Sequence, residues 1–240
     1  MNLISLNREF YNTFAEDFSE SRETINEGIK QSLASLDLSR LIDVGCGDGR
    51  VSRLLPSTSF YVGADFSAQL IGRSAKSSTS PNIGDVGLHS FVLADLSNAL
   101  PFSPQSFSAV VCYAALHHLP DRLSPLVSMA NLLKPNGRIA ISVWQFAHLE
   151  RFRKKIVDDL GNGDYLLSWE RGGHGVRYVH QVTEEEIKRL AHEASLSIEE
   201  MFYADGKTDD LSLYVIMKHL TSSLQTSSTT PANFADADSS

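Results

Sequence analysis

The chain has 240 residues, a formal net charge of −8 and a pI near 5.4, which gives room for one sizeable core and no global field to gather a polyanion. It shows no apolar run long enough to span a membrane, and Met1-Asn2-Leu3-Ile4-Ser5 lacks the basic flank and apolar stretch of a secretion signal, so a cytosolic protein is expected. Cys46 and Cys112 are the only cysteines, which excludes a disulfide framework and a cysteine metal site; no metal is expected.

Residues 8–36 carry apolar positions at helical spacing, Phe10, Phe14 and Phe18, then Ile25, Ile29, Leu33 and Leu36. They predict two helices ahead of the first strand, placed as a lid on the ligand end of the sheet. Arg40 to Gly49 follows, an apolar strand running into a loop with Gly45, Gly47 and Gly49. Glycine lets main-chain N–H groups and the next helix N-terminus approach a bound molecule. The spacing is not the Gly-x-Gly-x-x-Gly of dinucleotide folds. Asp65 closes the run Phe60 to Ala64, where an acid at the end of a second strand meets ribose hydroxyls. A nucleoside-bearing ligand is expected.

Strands near 40–44, 60–64, 90–94, 108–113 and 138–143 alternate with helical stretches near 49–55, 67–76 and 122–133, the rhythm of a doubly wound parallel sheet. Arg151, Arg153, Lys154 and Lys155 lie on an expected helix after Trp144 and read first as a solvated face. Thr183, with Glu186 three residues on, opens a helix over 184–194. Leu196 to Tyr203 and Leu211 to Met217 read as a terminal antiparallel hairpin. From 219 to 240 the composition turns to Ser, Thr, Ala and Asp, which predicts a disordered tail.

The glycine loop, Asp65, Leu93-Ala94-Asp95, the stretch Phe107 to Leu119 and Leu132 to Val143 stand in the order of the class I S-adenosylmethionine methyltransferases, which the chain resembles over residues 40–144. The resemblance implies an α/β, Rossmann-like, mostly parallel seven-stranded sheet ending in that hairpin. It implies one methyltransferase domain over 1–218, with 8–36 as the lid and 145–182 as a substrate-side insertion, and S-adenosyl-L-methionine as cofactor. Its contacts would come from Asp43 to the methionyl amine, Asp65 to the ribose, and Asp95 to the adenine amino group with Leu96 and Phe66 on the ring. Gly45, Cys46, Gly47, Tyr113, Tyr11 and Arg22 complete the set. His117, of the pair His117-His118, is expected to face the acceptor.

A finer likeness rests on Phe10 to Arg22, Val143-Trp144 and Arg177-Tyr178-Val179-His180, which resemble the tRNA wobble-uridine methyltransferases that esterify 5-carboxymethyluridine. It implies tRNA as partner, a clamp of Arg22, Arg177 and His180 on the substrate carboxylate, Tyr11 and Trp144 as walls to the base or the sulfonium, and Tyr178 among the substrate-binding residues. Family members also work with a small zinc-binding activator subunit. The Trp-Pro signature that follows the opening arginine in eukaryotic members is absent from Glu23 to Glu27. The Asp95 to Leu119 region equally resembles ubiquinone-type and other small-molecule O-, N- or C-methyltransferases, which would use His117 or His180 as a base. A non-catalytic cofactor-binding scaffold is the remaining alternative.

Overall fold

The computed structural model describes residues 1–22, 24–77 and 88–220, so the tail expected over 219–240 falls almost wholly outside the described residues. Helices α1 (Leu3–Thr13), α2 (Ala15–Glu20) and α3 (Glu27–Leu33) come first. Asn2 caps α1 by accepting from the Ser5 amide. The helix expected through Phe14 is broken there, because φ −103° and ψ 22° depart from helical values, and this makes three helices where two were expected.

Strands β1 (Arg40–Val44), β2 (Phe60–Asp65), β3 (His89–Leu93), β4 (Phe107–Tyr113) and β5 (Leu133–Trp144) follow, with α4 (Ala68–Ser77) and α5 (Leu123–Leu132) between them. Residues Arg50–Leu54 form a 3-10 turn rather than a full helix. β5 begins earlier than expected: Asn136, at φ 65°, bends the strand where a separate turn was anticipated. Next come α6 (Glu150–Arg153), β6 (Ile156–Gly161), β7 (Asp164–Trp169), β8 (Gly175–His180), α7 (Glu184–Glu193), β9 (Leu196–Ala204) and β10 (Ser212–His219).

The main sheet has the order β3-β2-β1-β4-β5-β10-β9. β1 to β5 pair in parallel, and β10 runs antiparallel to both β5 and β9. This is the expected seven-stranded Rossmann-like sheet with its terminal hairpin. Every residue of β4 is buried, as a central strand covered on both faces must be. Val110 and Cys112 pack with α5 and α7 on one face, and Ala109, Val111 and Tyr113 with α3 on the other. Each large side chain removed from water there contributes about 1.5–3 kcal/mol.

The insertion is more structured than the sequence reading allowed: β6, β7 and β8 form a separate antiparallel sheet. Its first turn is Gly161-Asn162-Gly163, all at positive φ, the residue types such a turn requires. The sheet carries Trp169 to the lid, where its ring meets Phe10 at 5.7 Å and Phe18 at 6.4 Å. No helix among the described residues is long and apolar enough to cross a membrane.

Candidate active site

In an open parallel sheet the ligand crevice lies beyond the carboxyl ends of the strands. The loops after β1, β2, β3 and β4 meet there, and α1 and α2 cover them. The cleft opens to solvent and is lined by Tyr11, Arg22, Asp43, Gly45, Cys46, Gly47, Asp65, Phe66, Asp95, Leu96 and Tyr113, together with Asn7, Arg50, Ala114 and His118.

Gly45 has φ +78°, and a Cβ on it would stand 2.4 Å from that of Ala115, so the loop touches the β4 loop through bare backbone. Gly47, at φ +58°, is different: a Cβ there would meet nothing within 4 Å, because the position borders open cleft. The space left by that missing side chain fits a bound ligand better than it fits internal packing. Asp65 Oδ2 accepts from the Gly47 amide at 2.9 Å and Oδ1 from the Ser67 amide at 2.8 Å. Each oxygen retains a lone pair for an incoming hydroxyl. Burial raises the Asp65 carboxyl to about 6 against those backbone bonds. Burial also raises Asp43 to about 7, partly offset by the bond from Tyr61 Oη at 3.0 Å. The same desolvation pushes the Cys46 thiol up and makes it a poor nucleophile.

Asp95 pairs with Arg8 of α1 and accepts from the Ser97 amide and hydroxyl at 2.9 and 2.7 Å. The Arg8 guanidinium also lies 5.9 Å from the Phe66 ring centroid. Arg8 therefore closes the end of the cleft expected to take adenine, a role the sequence reading missed. Its position three residues before Tyr11 on the same helix face was the available signal. Tyr113 lines the cleft, but its hydroxyl is engaged with Ser32 Oγ at 2.8 Å.

His117 is fully buried and absent from the cleft wall, whereas His118 lines it. The 3-10 turn Leu116–His118 turns the first ring inward, where it stacks on Trp144 at 5.5 Å. His117 Nδ1 accepts from the Trp144 amide at 3.4 Å, and Nε2 has no partner among the described residues. His118 is fixed at both nitrogens: Nδ1 donates to the Tyr178 carbonyl at 2.9 Å, and Nε2 accepts from Tyr11 Oη at 2.8 Å. Burial and the nearby Arg177 charge lower its pKa to about 3, so the ring is neutral.

Asn7 had also gone unnoticed, though it shares the apolar stripe of Phe10 and Tyr11. Its side chain accepts from the Tyr178 amide at 2.8 Å and donates to the carbonyls of Tyr178 and His118 at 3.0 Å each. At 1% exposure it ties α1 to β8 and to the histidine turn.

The expected clamp of Arg22, Arg177 and His180 does not assemble. Successive residues of a strand point to opposite faces, so in β8 Arg177 faces the lid while Tyr178 and His180 face away. Tyr178 Oη donates to Asp164 at 2.6 Å; His180 bonds Asp164 at 2.6 Å and Glu186 at 2.7 Å. That node is structural. Although burial works to raise Glu186, hydrogen bonds from His180 and Arg122 hold it at about 2. Tyr178 touches the site only through its backbone.

Arg177 is buried, with its guanidinium 4.9 Å from the Trp144 ring, 5.3 Å from Phe10 and 5.4 Å from Trp169. It reaches Tyr11 Oη at 3.5 Å and forms no ion pair among the described residues. Arg22 sits 4.1 Å from the Phe18 ring and 5.5 Å from Trp144, and it too has no acidic partner there. Desolvation, with Arg50 and Arg177 nearby, lowers its pKa to about 9. The cleft is thus acidic along the β1–β3 loops and cationic and aromatic where α2 meets β5 and β8.

Residues 42–141 match the family described as methyltransferase domain. The chain is 26% identical over 168 residues to a ubiquinone biosynthesis O-methyltransferase of Neisseria meningitidis, covering 69% of this chain and 66% of that protein. It therefore spans slightly less than two thirds of that relative. An S-adenosylmethionine-dependent methyltransferase of Methanosarcina mazei superposes with TM-score 0.66 at 24% identity, over 79% of this chain and 97% of that one. A chain from the complex between the Haloferax volcanii Trm112 methyltransferase activator and a putative methyltransferase superposes with TM-score 0.67 at 17% identity, over 88% and 96%. Sheet order and glycine cradle agree with that match, so residues 42–141 carry the sequence pattern of a methyltransferase domain on the fold these structures share.

Proposed function

We propose that the protein transfers a methyl group from S-adenosylmethionine to a carboxylate oxygen, and that the acceptor is a 5-carboxymethyluridine at the wobble position of tRNA. One observation carries the anionic acceptor: Arg22 and Arg177 both approach the Trp144 ring, and neither has a carboxylate partner among the described residues. Desolvated cations are costly without an anion, and a substrate carboxylate is one that would arrive with each turnover.

When bound, the cofactor supplies an electrophilic methyl on a sulfonium. The chain's task is then alignment and exclusion of water. Asp65 would take the ribose hydroxyls and Asp43 the methionyl amine. Arg22, on the cleft wall, would draw in the acceptor carboxylate. Arg177, beneath the lid rings, would steady Tyr11 and add positive potential. A carboxylate is ionised at neutral pH, with a pKa of about 4, so no base is required. His118, neutral and bonded at both nitrogens, suits a positioning role.

The tRNA assignment rests on the Arg-Tyr-x-His and opening-segment likeness and on the strip Arg151, Arg153, Lys154 and Lys155. In that strip only Lys154 has an ion-pair partner, Glu150, among the described residues, and Phe152 packs on Trp144 at 5.6 Å. The basic strip thus adjoins the acceptor wall. An activator subunit of the Trm112 kind belongs to this reading, supported by the likeness to the Haloferax complex. A second reading, a small-molecule O-methyltransferase, is favoured by the ubiquinone-type relatives and by the net charge of −8.

Nucleoside mass spectrometry of tRNA from cells with and without the protein separates the two. Disappearance of the wobble methyl ester supports the RNA acceptor. An unchanged tRNA profile beside an altered metabolite transfers the assignment to the small-molecule reading.

A further inference from the structure

Beside the cofactor cleft lies a second cavity, open to solvent, sharing Arg22, Arg50 and Ala114 with it. Its wall includes Thr24, Asn26, Ser142 and Trp144, and among the described residues lining it there is no Asp or Glu. The contrast with the cofactor cleft, which presents Asp43, Asp48, Asp65 and Asp95, is sharp. Arg50, half-buried, makes no ion pair among the described residues. Of the acids in the glycine loop, Asp43 feels the Arg50 charge but gives its hydrogen bond to Tyr61, and Asp48 pairs with Arg53 at 3.4 Å.

Two guanidiniums on one wall repel, and Arg50 is one of the charges that depress the Arg22 pKa. An anion between them would remove that repulsion and take up their fork-like donors. The cavity adjoins Ala114 of the β4 loop, whose neighbour Ala115 meets Gly45.

We infer that this second cavity is the acceptor's anion subsite, in which Arg50 and Arg22 together hold a carboxylate while Trp144 walls the planar ring that bears it. Arg50 would be a specificity-determining residue that selects ionised acceptors over neutral ones. The inference deepens the proposed carboxylate chemistry and rests on it for the direction of transfer, but not on tRNA as the source. One other carboxylate could occupy the same cations, that of the cofactor's own methionyl group, and the test separates the two.

The protein saturated with S-adenosylhomocysteine is titrated by calorimetry with free 5-carboxymethyluridine and with indole-3-acetate, each beside its neutral amide. The acids should bind at least about tenfold more tightly than the amides, a ratio fitting one charge-assisted contact. At saturating S-adenosylhomocysteine, Arg50→Gln should erase that preference and Arg50→Lys should restore part of it. Equal binding of acid and amide, or no binding of either acid at millimolar concentration, overturns the subsite. A loss confined to S-adenosylhomocysteine gives the cations to the cofactor and overturns the acceptor assignment. If tRNA proves not to be methylated while the acid preference and its dependence on Arg50 persist, the subsite stands and only the RNA reading falls.

Discussion

The β1–β3 side of the cleft and the side built by α2, β5 and β8 solve opposite problems. On the first, carboxylates are held by the chain's own amides, as Asp65 is by Gly47 and Ser67, so the surface is preorganised before a ligand arrives. On the second, Arg22 and Arg177 have aromatic faces around them but no ion-pair partner among the described residues, which leaves room for one that binds. The first half is self-sufficient in hydrogen bonds; the second is electrostatically unfinished, and that is the ground on which an anionic acceptor is proposed.

The largest expected effect breaks the self-sufficient half. Asp65→Ala should raise the Kd for S-adenosylhomocysteine by about 100-fold or more, since two charge-assisted bonds at about 1.5–3 kcal/mol each are removed, while circular dichroism stays folded. Calorimetry showing unchanged affinity removes the ribose assignment. Arg177→Ala addresses the unfinished half: turnover on a carboxylate acceptor should fall about 100-fold, with cofactor affinity moved by less than about threefold. Equal losses in both would merge the two regions into one.

His118→Ala should lower kcat about tenfold by releasing Tyr11, as the loss of a buried, doubly bonded partner implies. A larger effect from His117→Ala would reverse the placement of the pair. Proton linkage gives a subtler test. Asp43 and Asp65, raised to about 7 and about 6, carry protons in the free protein below those values. The cationic amine of S-adenosylhomocysteine favours their ionised forms, so binding should expel protons and tighten as pH rises through about 6 to about 7. Calorimetry in buffers of different ionisation enthalpy reads the proton count, and net uptake would contradict it. The smallest effect belongs to the basic strip: Arg151→Glu with Arg153→Glu should weaken tRNA binding a few-fold and flatten its salt dependence, measured by fluorescence anisotropy.

The self-sufficient half was almost fully legible in the sequence, because its signals are local. Alternating glycines need positive φ, apolar runs end in acids, and neither depends on distant chain. The unfinished half is assembled from residues far apart, and there local reading went astray. Arg177 and His180 were grouped as one clamp, yet three positions along a strand reverse the face; Val176 to His180 read as β-structure would have separated them. His117 was preferred to His118 because the 3-10 turn that chooses between adjacent rings leaves no periodic trace. The sheet of β6, β7 and β8 was legible in principle from Gly161-Asn162-Gly163. Arg50 carried only a faint signal, a cation at the exit of a ligand-ready loop with no acid assigned to it.

The three bonds of Asn7 fasten the first helix, the strand bearing Arg177 and the turn bearing His118 into one body. Lid and acceptor wall must then swing together or not at all.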